Sequence, residues 1–70
     1  MNTYKDGYRA GWTSYLKNCK VGMRRSFDQF IAEALKLAEK ADLALPPQQQ
    51  KDYWLGYHHG RSAAKTRVGE

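Results

Sequence analysis

The amino-acid sequence predicts an all-α protein, a small three-helix bundle made by a single domain, residues 1–70. Three observations support this class. Apolar side chains recur every three or four residues in three segments, which is the period of an amphipathic helix. Residues typical of helix starts precede the segments, and glycine or proline separates them. The predicted helices cover about residues 3–18, 26–43 and 47–65.

The first helix has a start signal and an aromatic face. Thr3 followed by Asp6 fits a capping box in its broader form, and Asp6 also suits the positive end of the helix dipole. Gly22 marks a loop after the helix. The apolar stripe of the helix consists of Tyr4, Tyr8, Trp12, Tyr15, Leu16 and Cys19.

The second helix has the strongest intrinsic preference for helical structure. Ser26 with Gln29 is a second capping-box match, and residues 32–40 are nearly all strong helix formers. Pro46 ends the helix because proline disfavours helical backbone in the residue before it. The apolar stripe consists of Phe27, Phe30, Ile31, Ala34, Leu35 and Ala38.

The third helix is predicted to begin near Pro47, since proline is well tolerated in a first helical turn. Residues 68–70 are expected to fray at its end. One face of this helix carries Tyr53, Trp54, Tyr57 and Ala64.

Helices 1 and 3 share a pattern. Residues 4–11 and residues 53–60 both read Tyr-x-x-Gly-Tyr-x-x-Gly. Each interior glycine costs about 0.5–1 kcal/mol relative to alanine, so the four glycines indicate close packing that offsets this cost. The simplest prediction is a seam between helices 1 and 3 that helix 2 covers. The alternative is that one copy faces outward, as a docking surface or a homodimer seam, with these candidate interface residues: Tyr8, Trp12, Trp54 and Tyr57.

The single cysteine and the short chain limit how the protein is stabilised. With only Cys19, no intramolecular disulfide can form. Cys19 fits either a small apolar core residue in a reducing compartment or a reactive thiol. A core of this size supplies about 3–5 kcal/mol, so self-association is one way to complete it.

The charge is positive and unevenly distributed. The net charge is +5, with +5 in residues 1–25, −2 in residues 26–47 and +2 in residues 48–70. Such a pattern favours an acidic partner, either RNA and the ribosome or an acidic host protein. The plain alternative is that the charge serves solubility alone.

The basic residues fall into two clusters that could bind nucleic acid. Cations near helix C-termini are also favoured by the helix dipole, which needs no ligand. If helices 1 and 3 run parallel, with helix 2 as the return leg, both clusters lie at one end of the bundle. The first cluster is Lys17, Lys20, Arg24 and Arg25, and the second is Arg61, Lys65 and Arg67.

No pattern predicts catalysis, a metal or a cofactor. His58 and His59 are adjacent, so on a helix they point about 100° apart and cannot share an ion comfortably. A dyad of Cys19 with either histidine remains open, but no nucleophile motif or phosphate-binding loop is present. The chain also has little interior for a small-molecule pocket. We therefore expect a protein that is not an enzyme.

Two short blocks resemble a known family. Residues 7–11, Gly-Tyr-Arg-Ala-Gly, and residues 54–57, Trp-Leu-Gly-Tyr, look like the signature blocks of the ribosome modulation factor family. That resemblance implies a small basic helical protein that binds the ribosome in stationary phase and promotes its inactive dimeric form. Here a whole predicted helix separates the blocks, where that family has a short linker. The chain is also similar to small accessory proteins of bacteriophages, which often bind and inhibit one host protein.

These observations lead to two functional hypotheses. The first is a cytoplasmic, non-enzymatic regulator of translation or stress that contacts RNA or the ribosome through basic residues. The second is a protein-binding module, of a kind that phages also encode, that inhibits or modulates a host protein through exposed Tyr and Trp. A homodimer is a third alternative.

The polar residues 1–6 predict no secretory signal, and no apolar run approaches the ~20 residues of a membrane span.

Overall fold

The computed structural model describes residues 3–19 and 27–69, and it confirms the all-α three-helix prediction for them. Helix α1 spans Tyr4–Cys19, α2 spans Phe27–Leu43 and α3 spans Tyr53–Gly69. A short 3-10 turn, Gln49–Lys51, lies between α2 and α3.

The predicted capping box of α1 is present. The Asp6 backbone N–H donates to the Thr3 hydroxyl oxygen (3.4 Å), and the Thr3 backbone N–H donates to Asp6 Oδ2 (3.3 Å). That second hydrogen bond, more than any other contact, lowers the pKa of Asp6. The predicted cap at Ser26 and the loop at Gly22 lie outside the described residues.

Helix α3 begins at Tyr53, six residues after the Pro47 start that the sequence suggested. Asp52 explains the difference, because its Oδ1 accepts a hydrogen bond from the Leu55 backbone N–H (3.0 Å), the geometry of an N-cap. The helix also continues past the expected end at Lys65. Val68 is partly buried against the core rather than frayed.

The glycines of the two repeats form the seam between α1 and α3, as the simpler prediction stated. A methyl group added at Gly7 would fall on the Tyr53 carbonyl oxygen, and one at Gly56 would fall on the Tyr4 carbonyl oxygen. The next turn repeats this arrangement, with Gly60 against Tyr8. Contacts advance along both helices in the same direction, so α1 and α3 run parallel.

Helix α2 packs mainly on α1 and runs antiparallel to it. At one end the rings of Phe30 and Trp12 lie 6.4 Å apart between centroids. At the other end the charge of Asp42 acts on Tyr4. Ala34 and Ala38 lie between these points, and both are fully or almost fully buried. The chain is therefore an up-down-up bundle, and this arrangement places Lys17 of the first predicted basic cluster at the same end as the second cluster, Arg61, Lys65 and Arg67.

Cys19 is the last residue of α1. Its side chain lies outside the described part of the chain, so the core and reactive-thiol alternatives both stay predictions.

Candidate binding surface

The α1–α3 pair is internally two-fold symmetric. A shift of 49 residues relates Tyr4 to Tyr53 and Gly7 to Gly56. The contacts obey the same relation: Gly7 meets the Tyr53 carbonyl where Gly56 meets the Tyr4 carbonyl. The secondary contacts match closely as well, since the added methyl groups would lie 2.9 Å from the Tyr57 nitrogen and 3.0 Å from the Tyr8 nitrogen. A parallel pair with this symmetry has two equivalent sides.

Helix α2 covers only one of these sides. The covered side carries Tyr4, Tyr8, Trp12 and Leu16, all of them buried. The 49-residue shift places Tyr53, Tyr57, Arg61 and Lys65 at the corresponding positions of the second side. There the two tyrosines are half-buried and the two cations are exposed. We call this second side the open side.

An aromatic cluster forms the part of the open side near the N-terminus of α3. Trp54 is 65% exposed, and its ring packs edge-on against the rings of Tyr53 (5.3 Å) and Tyr57 (5.6 Å). The exposed His58 ring stands perpendicular to Tyr57 at 6.4 Å. We call these four residues the aromatic cluster. A tryptophan that packs on two neighbouring rings and is otherwise exposed offers an apolar surface for binding.

A shallow groove on α1 belongs to the same side. Tyr4 crosses from the covered face of α1 to His59 of α3, with its hydroxyl 2.6 Å from Nδ1. The residue related to His59 by the 49-residue shift is Ala10, so Ala10 lies on the open side. The small side chains of Ala10 and Ser14 leave the depression open. The groove is lined by Asp6, Arg9, Ala10, Thr13, Ser14 and Lys17.

The basic residues meet at one end of the bundle. Lys17 is exposed in the last turn of α1, and Arg61 and Lys65 are exposed along the C-terminal half of α3. Because α1 and α3 are parallel, these cations share one end, which we call the basic pole. Arg67 is engaged differently, since its Nε lies 2.7 Å from Glu33 Oε2 of α2. The other predicted cations, Lys20, Arg24 and Arg25, lie outside the described residues.

The four predicted interface residues separate into two pairs. Tyr8 and Trp12 lie in the core, with Trp12 fully buried, so the expectation that they are surface anchors is corrected. They are buried because α2 covers this face of α1. Trp54 and Tyr57 do reach the surface. The glycines of both repeats meet within the chain and do not face a second copy.

Sequence reasoning missed two members of the aromatic cluster as surface candidates, Tyr53 and His58. The repeat contained the signal for Tyr53. It is the counterpart of Tyr4, and only one copy of a symmetric pair can lie under a single covering helix.

The two histidines lie on different sides of α3, as adjacent helical residues must. His58 joins the aromatic cluster, whereas His59 meets Tyr4 on the side that α2 covers. Burial, followed by the charges of Tyr8 and Asp42, raises the pKa of Tyr4. Within residues 3–19 and 27–69, no group of three or more His, Cys, Asp or Glu side chains could hold a metal ion.

Among the described residues, no helix combines the length and apolar character needed to cross a membrane.

No protein-family model, curated protein or solved structure matches this chain.

Proposed function

We propose that this chain is a non-enzymatic RNA-binding protein that contacts the ribosome through its basic pole and acts in the cytoplasm as a regulator of translation. One observation supports this more than any other. The parallel packing of α1 and α3 brings Lys17, Arg61 and Lys65, from both ends of the sequence, to one exposed pole.

The three cations of the pole are well suited to phosphates. All are exposed, and no described carboxylate is shown paired to them, whereas Arg67 is held by Glu33. Lysine and arginine that neutralise phosphates release condensed counterions, which provides sequence-independent affinity. The resemblance of residues 7–11 and 54–57 to the ribosome modulation factor family favours the ribosome as the target.

Titration with a fluorescent single-stranded RNA at about 50 and about 300 mM salt tests the proposal, because phosphate binding weakens steeply with salt. The decisive variant replaces Lys17, Arg61 and Lys65 with glutamine. Loss of three phosphate contacts should make the negative slope of log affinity against log salt less steep by about 2. Cosedimentation of both proteins with ribosomes extends the measurement to the proposed target.

A matched control separates the pole from net charge. Replacing Lys36, Lys40 and Lys51 with glutamine removes the same charge from exposed positions on α2 and the 3-10 turn. This control should retain most of the RNA affinity. Equal affinity of the two triple variants would mean that the pole has no special role, and the proposal would fail.

A second candidate function is supported by the aromatic cluster. Trp54 is 65% exposed, which is a large fraction for so large an apolar side chain. It is not isolated, because its ring packs on the rings of Tyr53 and Tyr57. Clustered surface aromatics are typical of protein interfaces. We propose as the alternative a protein-binding module that modulates a host protein, whether or not it is encoded by a phage.

A further inference from the structure

We infer that the open side binds an acidic amphipathic helix of a partner protein, lying antiparallel to α3 as α2 lies antiparallel to α1. This inference rests on the protein-binding alternative and not on RNA binding. The chain supplies its own template, because the side related to the open side by the internal two-fold is already occupied by a helix.

The template shows which shape fits. Where α2 crosses the tyrosines of the first repeat, its inward residues are small, Ala34 and Ala38, and both are almost fully buried. Tyr53 and Tyr57 present the same spacing on the open side, where the groove beside Ala10 leaves further room. A partner helix with alanine-sized residues four apart would therefore seat on these rings as α2 seats on Tyr4 and Tyr8.

The charges show how the partner differs from α2. Trp12, which meets Phe30 on the covered side, corresponds to Arg61 on the open side, and Leu16 corresponds to Lys65. Lys17 of the groove adds a third cation. An aromatic residue of the partner at the Phe30 position would meet a guanidinium, whereas a carboxylate there would form an ion pair.

Charge also disfavours a second copy of the chain as the occupant. Each copy has a net charge of +5, and its own α2 is already packed on its own α1. Two open sides packed in parallel would bring two sets of Arg61 and Lys65 together. An acidic partner helix meets neither obstacle.

The probe is a synthetic peptide with the sequence of α2, residues 27–43, with blocked ends and with Phe30→Glu. The unmodified peptide is the reference. Binding is measured by isothermal titration calorimetry, which serves the wild type and the Trp54→Ala variant alike. The glutamate discriminates between two sites: it should pair with Arg61 on the open side, but it should be rejected beside Trp12 if the peptide displaces α2.

The expected result is that the Phe30→Glu peptide binds roughly two- to fivefold more tightly than the unmodified one at low salt. Trp54→Ala should weaken this binding by about tenfold. The matched control is Leu43→Ala, which truncates an even more exposed apolar side chain (80%) on α2 and should leave binding unchanged. Arg61→Glu should weaken the Phe30→Glu peptide, and a Phe30→Lys peptide should recover affinity for that variant.

Three outcomes would overturn the inference. The first is that neither peptide binds at high micromolar concentration. The second is that the unmodified peptide binds better and its affinity is unchanged by Trp54→Ala, which would mean exchange with α2. In the third, Trp54→Ala lowers RNA affinity as much as the triple variant of the pole does. That result would assign the open side to RNA, so the helix inference would fail while the proposed function stands.

Discussion

The two Tyr-x-x-Gly-Tyr-x-x-Gly repeats share a pattern and a backbone role, yet their side chains end in opposite environments. Tyr4 and Tyr8 are buried in the core, whereas Tyr53 and Tyr57 remain half-exposed. The glycines account for the similarity, because they set the approach of the helices symmetrically. Helix α2 accounts for the difference, because a single helix can cover only one of two equivalent sides. The repeat thus determines how α1 and α3 pair, and α2 determines which copy is covered and which is exposed.

Disrupting the glycine seam, which both repeats share, should have the largest effect on stability. Gly56→Ala places a methyl group on the Tyr4 carbonyl oxygen, so two backbones must separate. Alanine's better helix propensity returns only about 1 kcal/mol. We expect a loss of at least about 3 kcal/mol in the free energy of unfolding, measured by urea denaturation followed by circular dichroism.

Symmetry supplies the controls for this substitution. Gly7→Ala should cost about as much as Gly56→Ala, because its methyl group meets the equivalent Tyr53 carbonyl. Ser62→Ala, at an exposed position of α3, should change stability little. If both glycine variants were as stable as the wild type, the close parallel seam would be wrong.

Truncating one tyrosine from each repeat should reveal the difference between the copies. Tyr8→Ala removes a buried ring and should cost about 3 kcal/mol of unfolding free energy. Tyr57→Ala removes the corresponding ring from the open side and should cost about 1 kcal/mol, since part of that ring already faces water. Thermal denaturation of the two variants side by side makes the measurement, and equal costs would contradict a one-sided cover.

The seam could be predicted from sequence because its signal is local. Glycine at four-residue spacing on two helices allows close packing, and the structure shows this seam between α1 and α3. Which copy is covered could not be predicted, because both copies have the same helical period. The Arg67–Glu33 ion pair joins residues far apart in the sequence and left no local signal. The start of α3 did have a local signal, because Asp52 is a favoured N-cap residue, but Pro47 favoured an earlier start.

Helix α2, which covers the first repeat, carries one side chain in an unfavourable environment, Asp42, and this lowers the stability of the packing. Asp42 is 8% exposed in the last turn of α2, and its Oδ1 has no hydrogen-bond partner among residues 3–19 and 27–69. A carboxylate there also faces the negative end of the helix dipole. Asp42→Ala should therefore raise the free energy of unfolding by about 1 kcal/mol at pH 7. A destabilised variant in the same urea titration would show that the carboxylate makes a favourable interaction.

Raising the pH into the alkaline range should give the smallest effect on stability, and the effect should come from the buried tyrosines of the first repeat. Burial is the main factor that raises the pKa of both Tyr4 and Tyr8. The folded state therefore holds these phenolic protons more tightly than the unfolded state, so the stabilisation is complete below about pH 10 and is lost as pH rises further. Unfolding free energy measured at about pH 8 and about pH 10.5 should fall less for Tyr8→Phe than for the wild type. Deprotonation of lysines affects both proteins alike, so the difference between them isolates the phenol. An identical fall in both proteins would mean that the Tyr8 hydroxyl is hydrated in the folded state, and that α2 covers the first repeat less completely than its packing indicates.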